Sequence, residues 1–133
     1  PQLQILIDEL DLQEEDILYI PGLFETVSQC GGAVAALFPG MANLIVADDL
    51  SGQTTLFVPD PMVRTNVNDT SSDPVIDAFV AEMPPELRLE FMDDWQVYHM
   101  QLGEVHCGSN VVRAPYDGAD WWNEGWSLME ESK

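Results

Sequence analysis

Residues 33–58 read AVAALFPGMANLIVADDLSGQTTLFV. Three short apolar runs lie in this stretch: Ala33 to Phe38, Asn43 to Ala47, and Thr54 to Val58, the last rich in β-forming residues. Pro39-Gly40 separates the first two, and Asp48-Asp49 with Ser51-Gly52 turns the chain into the third. Runs this short, punctuated this closely, predict strands with tight connections. Downstream, Asp73 stands where a helix cap belongs and Pro74 follows at the first helical position, where its missing N–H costs nothing. Val75, Ile76, Phe79, Val80 and Met83 then form a buried face, and Pro84-Pro85 ends the helix. Upstream, Leu3, Leu6, Ile7 and Leu10 repeat at i, i+3, i+4, i+7 and predict another helix. Glu14-Glu15-Asp16 is a polar break, and Ile17 to Ile20, stopped by Pro21-Gly22, reads as a further strand. Strands interleaved with helices place the chain in the α/β class.

The remainder is less regular. Arg64 to Ser72 is polar and reads as a loop. The stretch containing Phe91, Met92, Trp95, Val97 and Tyr98 fits either a strand or a helix. Residues 102–110 with Val111-Val112 read as a strand, Trp121, Trp122 and Trp126 as packing residues, and 127–133 as a fraying tail.

The 133 residues suffice for one domain and one modest core. A hydrophobic fraction of 46% argues against disorder despite a net charge of −20. That charge, from 24 acids against 4 bases, repels phosphate backbones and anionic lipid, so nucleic acid and membrane surface are excluded as partners. A cationic ligand or a divalent metal is compatible in sign; solvation alone also explains the acids. No apolar run approaches the roughly 18 residues of a transmembrane helix. The chain opens on Pro1 with no signal peptide, as if cut from a longer one. Cys30 and Cys107 make no disulfide framework, which points to a reducing compartment and a cytoplasmic location. With His99 and His106 they fit no zinc-finger spacing, and no metal ligands are assigned.

Cys107 is the chemically suggestive residue. It lies between His106 and Gly108 in a segment bounded by Gly103, where a thiolate is able to attack an electrophilic carbon. A buried, inert cysteine is the alternative. If the segment is extended, His106 and Glu104 both point away from the sulfur, leaving His106 as a hydrogen-bonded packing residue. His99, eight residues upstream, approaches only if the chain folds back. Asp8, Asp11 and Glu15 read as a solvated face. Asp93-Asp94 reads as a capped turn, with guanidinium or calcium binding as the rival.

The octet Gly103-Glu104-Val105-His106-Cys107-Gly108-Ser109-Asn110 resembles G-E-V-H-C-G-T-N, the nucleophile motif of the protein-arginine deiminases. Ile20-Pro21-Gly22-Leu23-Phe24 is similar to that family's I-P-x-L-F, and Phe38-Pro39-Gly40-Met41-Ala42-Asn43 to its F-P-x-M-x-N. Tyr98-His99 and Trp121-Trp122-Asn123 fall in matching places. By this resemblance residues 1–133 are the C-terminal portion of the catalytic domain, a partial α/β propeller of about one and a half to two ββαβ modules.

The resemblance implies conversion of peptidyl-arginine to peptidyl-citrulline and ammonia, with Cys107 as nucleophile and a covalent S-alkylthiouronium intermediate. It implies calcium in the parent enzyme, without ligands in this chain, and an arginine-containing protein or peptide as substrate. The family's guanidinium-binding aspartates and catalytic histidine lie upstream, so the isolated chain is expected to be inactive, and to self-associate or to dock with the rest of the catalytic domain. Where animal members carry Arg-His before the first motif glycine, this chain has Gln101-Leu102, making Gln101 the candidate substrate contact. Two other readings stand beside this one: a non-catalytic acidic interaction module, and an amidinohydrolase acting on free arginine or agmatine.

Overall fold

A computed structural model describes residues 2–28, 31–66 and 73–112. Cys30, Trp121, Trp122, Asn123, Trp126 and the tail 127–133 lie outside the described residues. The chain is of the α/β class. Helix α1 (Gln2–Leu10) is followed by a hairpin of β1 (Phe24–Val27) and β2 (Ala33–Ala36). Next come β3 (Ile45–Asp48), β4 (Thr54–Pro59), helix α2 (Pro74–Glu82) and β5 (Arg88–Met92). The second sheet has the order β3-β4-β5, with β3 antiparallel and β5 parallel to β4. A parallel neighbour needs a crossover, and α2 supplies it, so β3, β4, α2 and β5 form a ββαβ unit.

The core sits where α2 covers this sheet. Leu56 and Val58 of β4, Phe79 of α2 and Met41 from the β2–β3 connection are buried. Phe91, which pairs in register with Val58, meets Phe79 edge to face with ring centroids 6.2 Å apart. Asp73 anchors the start of α2. Its carboxylate accepts from the amides of Val75 (3.0 Å) and Ile76 (3.2 Å), and also from Val63 (2.8 Å), which ties the end of the β4 loop to the helix. Val75, Ile76 and Met83 are half-buried as a face beside Phe79, but Val80 is 45% exposed and does not belong to it. Within the polar loop, Arg64 is held by both carboxylate oxygens of Asp60.

Two strand expectations fail. Ile17–Ile20 is irregular, following a single 3-10 turn at Glu14–Asp16, and β1 begins only after Pro21-Gly22. Proline lacks the N–H a ladder needs, so pairing starts beyond it. Residues 102–112 form turns and irregular backbone. Helix α1 does form at its expected spacing, yet it buries none of its residues.

Replacing Asp73 by Ala removes three accepted backbone hydrogen bonds at a buried position. A stability loss of about 1–2 kcal/mol is expected, read as a lower urea midpoint.

Candidate active site

The site is built on a chain reversal. After β5, the amides of Tyr98 and His99 both donate to the Asp94 carbonyl, at 2.9 and 3.2 Å, starting a helical coil. It ends at Leu102, whose φ of 63° is left-handed and turns the backbone toward Gly103. Asp93 Oδ1 accepts from the Trp95 amide at 3.3 Å, which is the capped turn expected of that pair. Cys107 then lies in a tight turn closed by Gly108 N–H to the Glu104 carbonyl, at 3.0 Å. Gly108 is required by packing. A Cβ there would overlap carbons of the Tyr98 ring.

This turn replaces the expected strand, because its hydrogen bonds come from a distant side chain. Asn43 Oδ1 accepts from the amides of His106 (3.0 Å) and Cys107 (3.3 Å), while its Nδ2 donates to Cys107 Sγ at 3.2 Å. Asn43 reaches this place because Pro39-Gly40 turns the chain, with Asn43 N–H donating to the Gly40 carbonyl at 2.9 Å. The sulfur is a free, exposed thiol. Its pKa lies below that of an ordinary cysteine, because the backbone of Glu104 and the amide of Asn43 both hydrogen-bond the thiolate. Sequence reasoning left Asn43 without a role. Its only signal was its place as the last letter of the F-P-x-M-x-N resemblance.

Cys107 and Gln101 are brought together. With Val97, Tyr98, Gly103 and Gly108 they line one open groove of about 420 Å³. Gln101 Nε2 donates to the Val97 carbonyl at 3.0 Å, which orients its amide on the groove wall. His106 is exposed and lines a different groove, with Leu44–Val46 and Ser109–Val111, so it is neither a packing histidine nor a neighbour in the Cys107 groove.

The chain does fold back to bring His99 close, but to Glu104. His99 Nδ1 lies 2.9 Å from Glu104 Oε1, and the His99 ring packs on Trp95 with centroids 4.8 Å apart. Glu104 Oε1 also accepts from the Gly40 amide at 3.2 Å. His99 and Glu104 face a separate cavity of about 380 Å³ walled by Phe24, Val34 and Ala36 of the β1–β2 hairpin. Asp94 is 3% exposed, and burial, with the charge of Glu104 added, raises its carboxyl pKa to about 6. Among the described residues no three His, Cys, Asp or Glu side chains converge as a metal site.

A family model described as protein-arginine deiminase matches residues 2–123. Protein-arginine deiminase type-1 of Mus musculus is 35% identical over 120 residues, covering 90% of this chain and 16% of that protein. Type-3 of Homo sapiens is 34% identical with the same coverage. Type-4 of Rattus norvegicus is 34% identical over 122 residues, covering 90% of this chain and 17% of that protein. The chain thus spans well under a fifth of the relatives it matches.

Asn43→Ala removes the donor to the sulfur and the side-chain acceptor of the turn amides, leaving the main-chain carbonyl at 43 to accept from His106 at 3.3 Å. Alkylation of Cys107 by iodoacetamide at pH 7, followed by peptide mass spectrometry, is expected to slow by roughly tenfold as the thiol returns toward its ordinary pKa.

Proposed function

The chain belongs to the protein-arginine deiminase family, and from that membership we propose that it is the nucleophile-bearing part of an enzyme that hydrolyses peptidyl-arginine to peptidyl-citrulline and ammonia. The observation that carries this reading is Cys107: a free, exposed thiol with a lowered pKa, opening on a groove.

The chemistry follows from those properties. The Cys107 thiolate adds to the guanidinium carbon and forms a C–S bond. One C–N bond then breaks and its nitrogen leaves as ammonia after taking up a proton, giving an S-alkylthiouronium. Water adds to that carbon, the C–S bond breaks, the thiolate is restored and the ureido group of citrulline remains. Asn43 steadies the thiolate by its Nδ2 donor before attack and again when the C–S bond breaks. Among the described residues neither histidine serves as the acid for the leaving nitrogen, since His99 is engaged by Glu104 and His106 lines another groove. By the family's pattern that acid, and the carboxylates that hold the guanidinium, come from preceding sequence. Calcium is expected by resemblance; among the described residues no three His, Cys, Asp or Glu side chains converge to hold it.

The ββαβ order of β3, β4, α2 and β5 supports the propeller reading, with neighbouring modules surrounding the site. Helix α1 and the β1–β2 hairpin expose Leu6, Leu10, Phe24 and Val34, which fits docking against the rest of a catalytic domain or against a second copy. Gln101 favours a second reading. It stands on the Cys107 groove without the charge of an arginine, which suits free arginine or agmatine as well as a peptide.

In a protein carrying these residues within the full length of its relatives, citrulline formation from an arginine peptide is expected, with a loss of about 10³-fold or more in Cys107→Ser. Free arginine or agmatine turned over in preference to peptide would establish the second reading. Full turnover in Cys107→Ser would remove the nucleophile, and absence of any turnover would favour an interaction module. The 133-residue chain alone is expected to release no ammonia, because each missing electrostatic or acid–base group is worth about 10²-fold or more. It is also expected to self-associate at high concentration. A strictly monomeric species by light scattering would contradict that.

A further inference from the structure

Beneath the Cys107 turn lie two buried carboxyl groups that the reaction does not use. Asp94 is 3% exposed and Glu104 8%. Both oxygens of Asp94, and Oε2 of Glu104, make no hydrogen bond among the described residues. With both groups ionised, the two buried charges repel, and the Val105 backbone beside Asp94 offsets this only in part. A single proton changes this, since a protonated Asp94 becomes a donor to Glu104. The other Glu104 oxygen already joins the Gly40 amide to His99 Nδ1. The Glu104 backbone closes the Cys107 turn through Gly108 and lies beside the sulfur. Glu104 therefore touches the β2–β3 connection that presents Asn43, the coil that carries His99, and the nucleophile turn.

We propose that Glu104 is a positioning residue for Cys107, and that one proton shared with Asp94 latches it in place. The role rests on the reading of Cys107 as a nucleophile, but its test does not need deiminase activity. The charged and titratable groups facing Asp94 are Glu104 and His99, with the Val105 backbone also in contact, and Cys107 feels the Glu104 charge. Burial first, and the Glu104 charge second, raise the Asp94 pKa from 3.8 to about 6. The folded chain thus holds this proton more tightly than the unfolded chain. The latch contributes fully below about pH 4 and is lost as pH rises through about 6.

The two functions of Glu104 act on the thiol in opposite directions. Its charge raises the Cys107 pKa, whereas the geometry it holds lowers it. Glu104→Gln removes the charge and keeps an acceptor for Gly40 and a donor for Asp94. Glu104→Ala removes both charge and latch. Asp94→Asn mimics the protonated acid at every pH.

The experiment uses the 133-residue chain. It measures iodoacetamide alkylation of Cys107 against pH by peptide mass spectrometry, and thermal unfolding from pH 4 to 8. Glu104→Gln is expected to alkylate at pH 5, where the latch is still in place, as fast as wild type or faster, and Glu104→Ala about tenfold slower. Asp94→Asn is expected to lose the fall in melting temperature that wild type shows as pH rises through about 6. Equal acceleration in Glu104→Gln and Glu104→Ala would reduce Glu104 to a charge and overturn the proposal. Should Glu104→Ala not fold, Asp94→Asn decides: an unchanged pH dependence of melting overturns the shared proton. A deiminase reading that failed while these shifts appeared would leave the latch standing.

Discussion

Asn43 and the sulfur of Cys107 are 64 residues apart in sequence and 3.2 Å apart in space. The same carboxamide accepts two amides of the nucleophile turn. That one side chain fixes the turn that exposes the thiol and supplies a donor that favours the thiolate. The ββαβ unit matters to the site because it places this carboxamide. Met41, two residues before Asn43, is sunk in the core with Val58 and Phe79, so the loop that presents Asn43 is anchored by apolar packing. Without that anchor, residues 104–108 would keep only their own local hydrogen bonds, and the sulfur would lose its fixed partner.

Local signals made much of the fold legible. Strands β2, β3 and β4 announced themselves as apolar runs between turn residues, and α2 by Asp73-Pro74 at one end and Pro84-Pro85 at the other. Each of those elements is specified within a dozen residues. The failures share a cause. Ile17–Ile20 has the composition of a strand but no ladder partner among the described residues, and composition cannot report the lack of a neighbour. Residues 102–110 read as a strand, yet the amides of His106 and Cys107 are claimed by Asn43, and the Tyr98 ring sits where a side chain on residue 108 would go. Both facts are tertiary and leave no local trace.

The candidate site divides the same way. Between His106 and Gly108, Cys107 was legible as a candidate nucleophile with an inert cysteine as the alternative, and the motif resemblance that decided this also placed Gln101; the fold sets both on one groove. Strand alternation would turn Glu104 and His106 away from the sulfur, but residues 105–108 form a turn, and tertiary contacts set both side chains instead. Glu104 is turned aside because Gly40 and His99 hold its carboxylate, and His106 because the turn places it on another groove. Asp94 read as half of a capped turn. Its neighbour Asp93 does the capping, while Asp94 itself is buried against Glu104.

The account turns on a carbon–sulfur bond at Cys107. Acid quenching of a full-length protein that contains these residues, during turnover of an arginine peptide, traps whatever is covalently attached, and mass spectrometry of the digest locates it. The account predicts an adduct on the Cys107 peptide equal to the substrate less one ammonia. Turnover with that adduct on another residue, or with Cys107 fully alkylated beforehand, would contradict it.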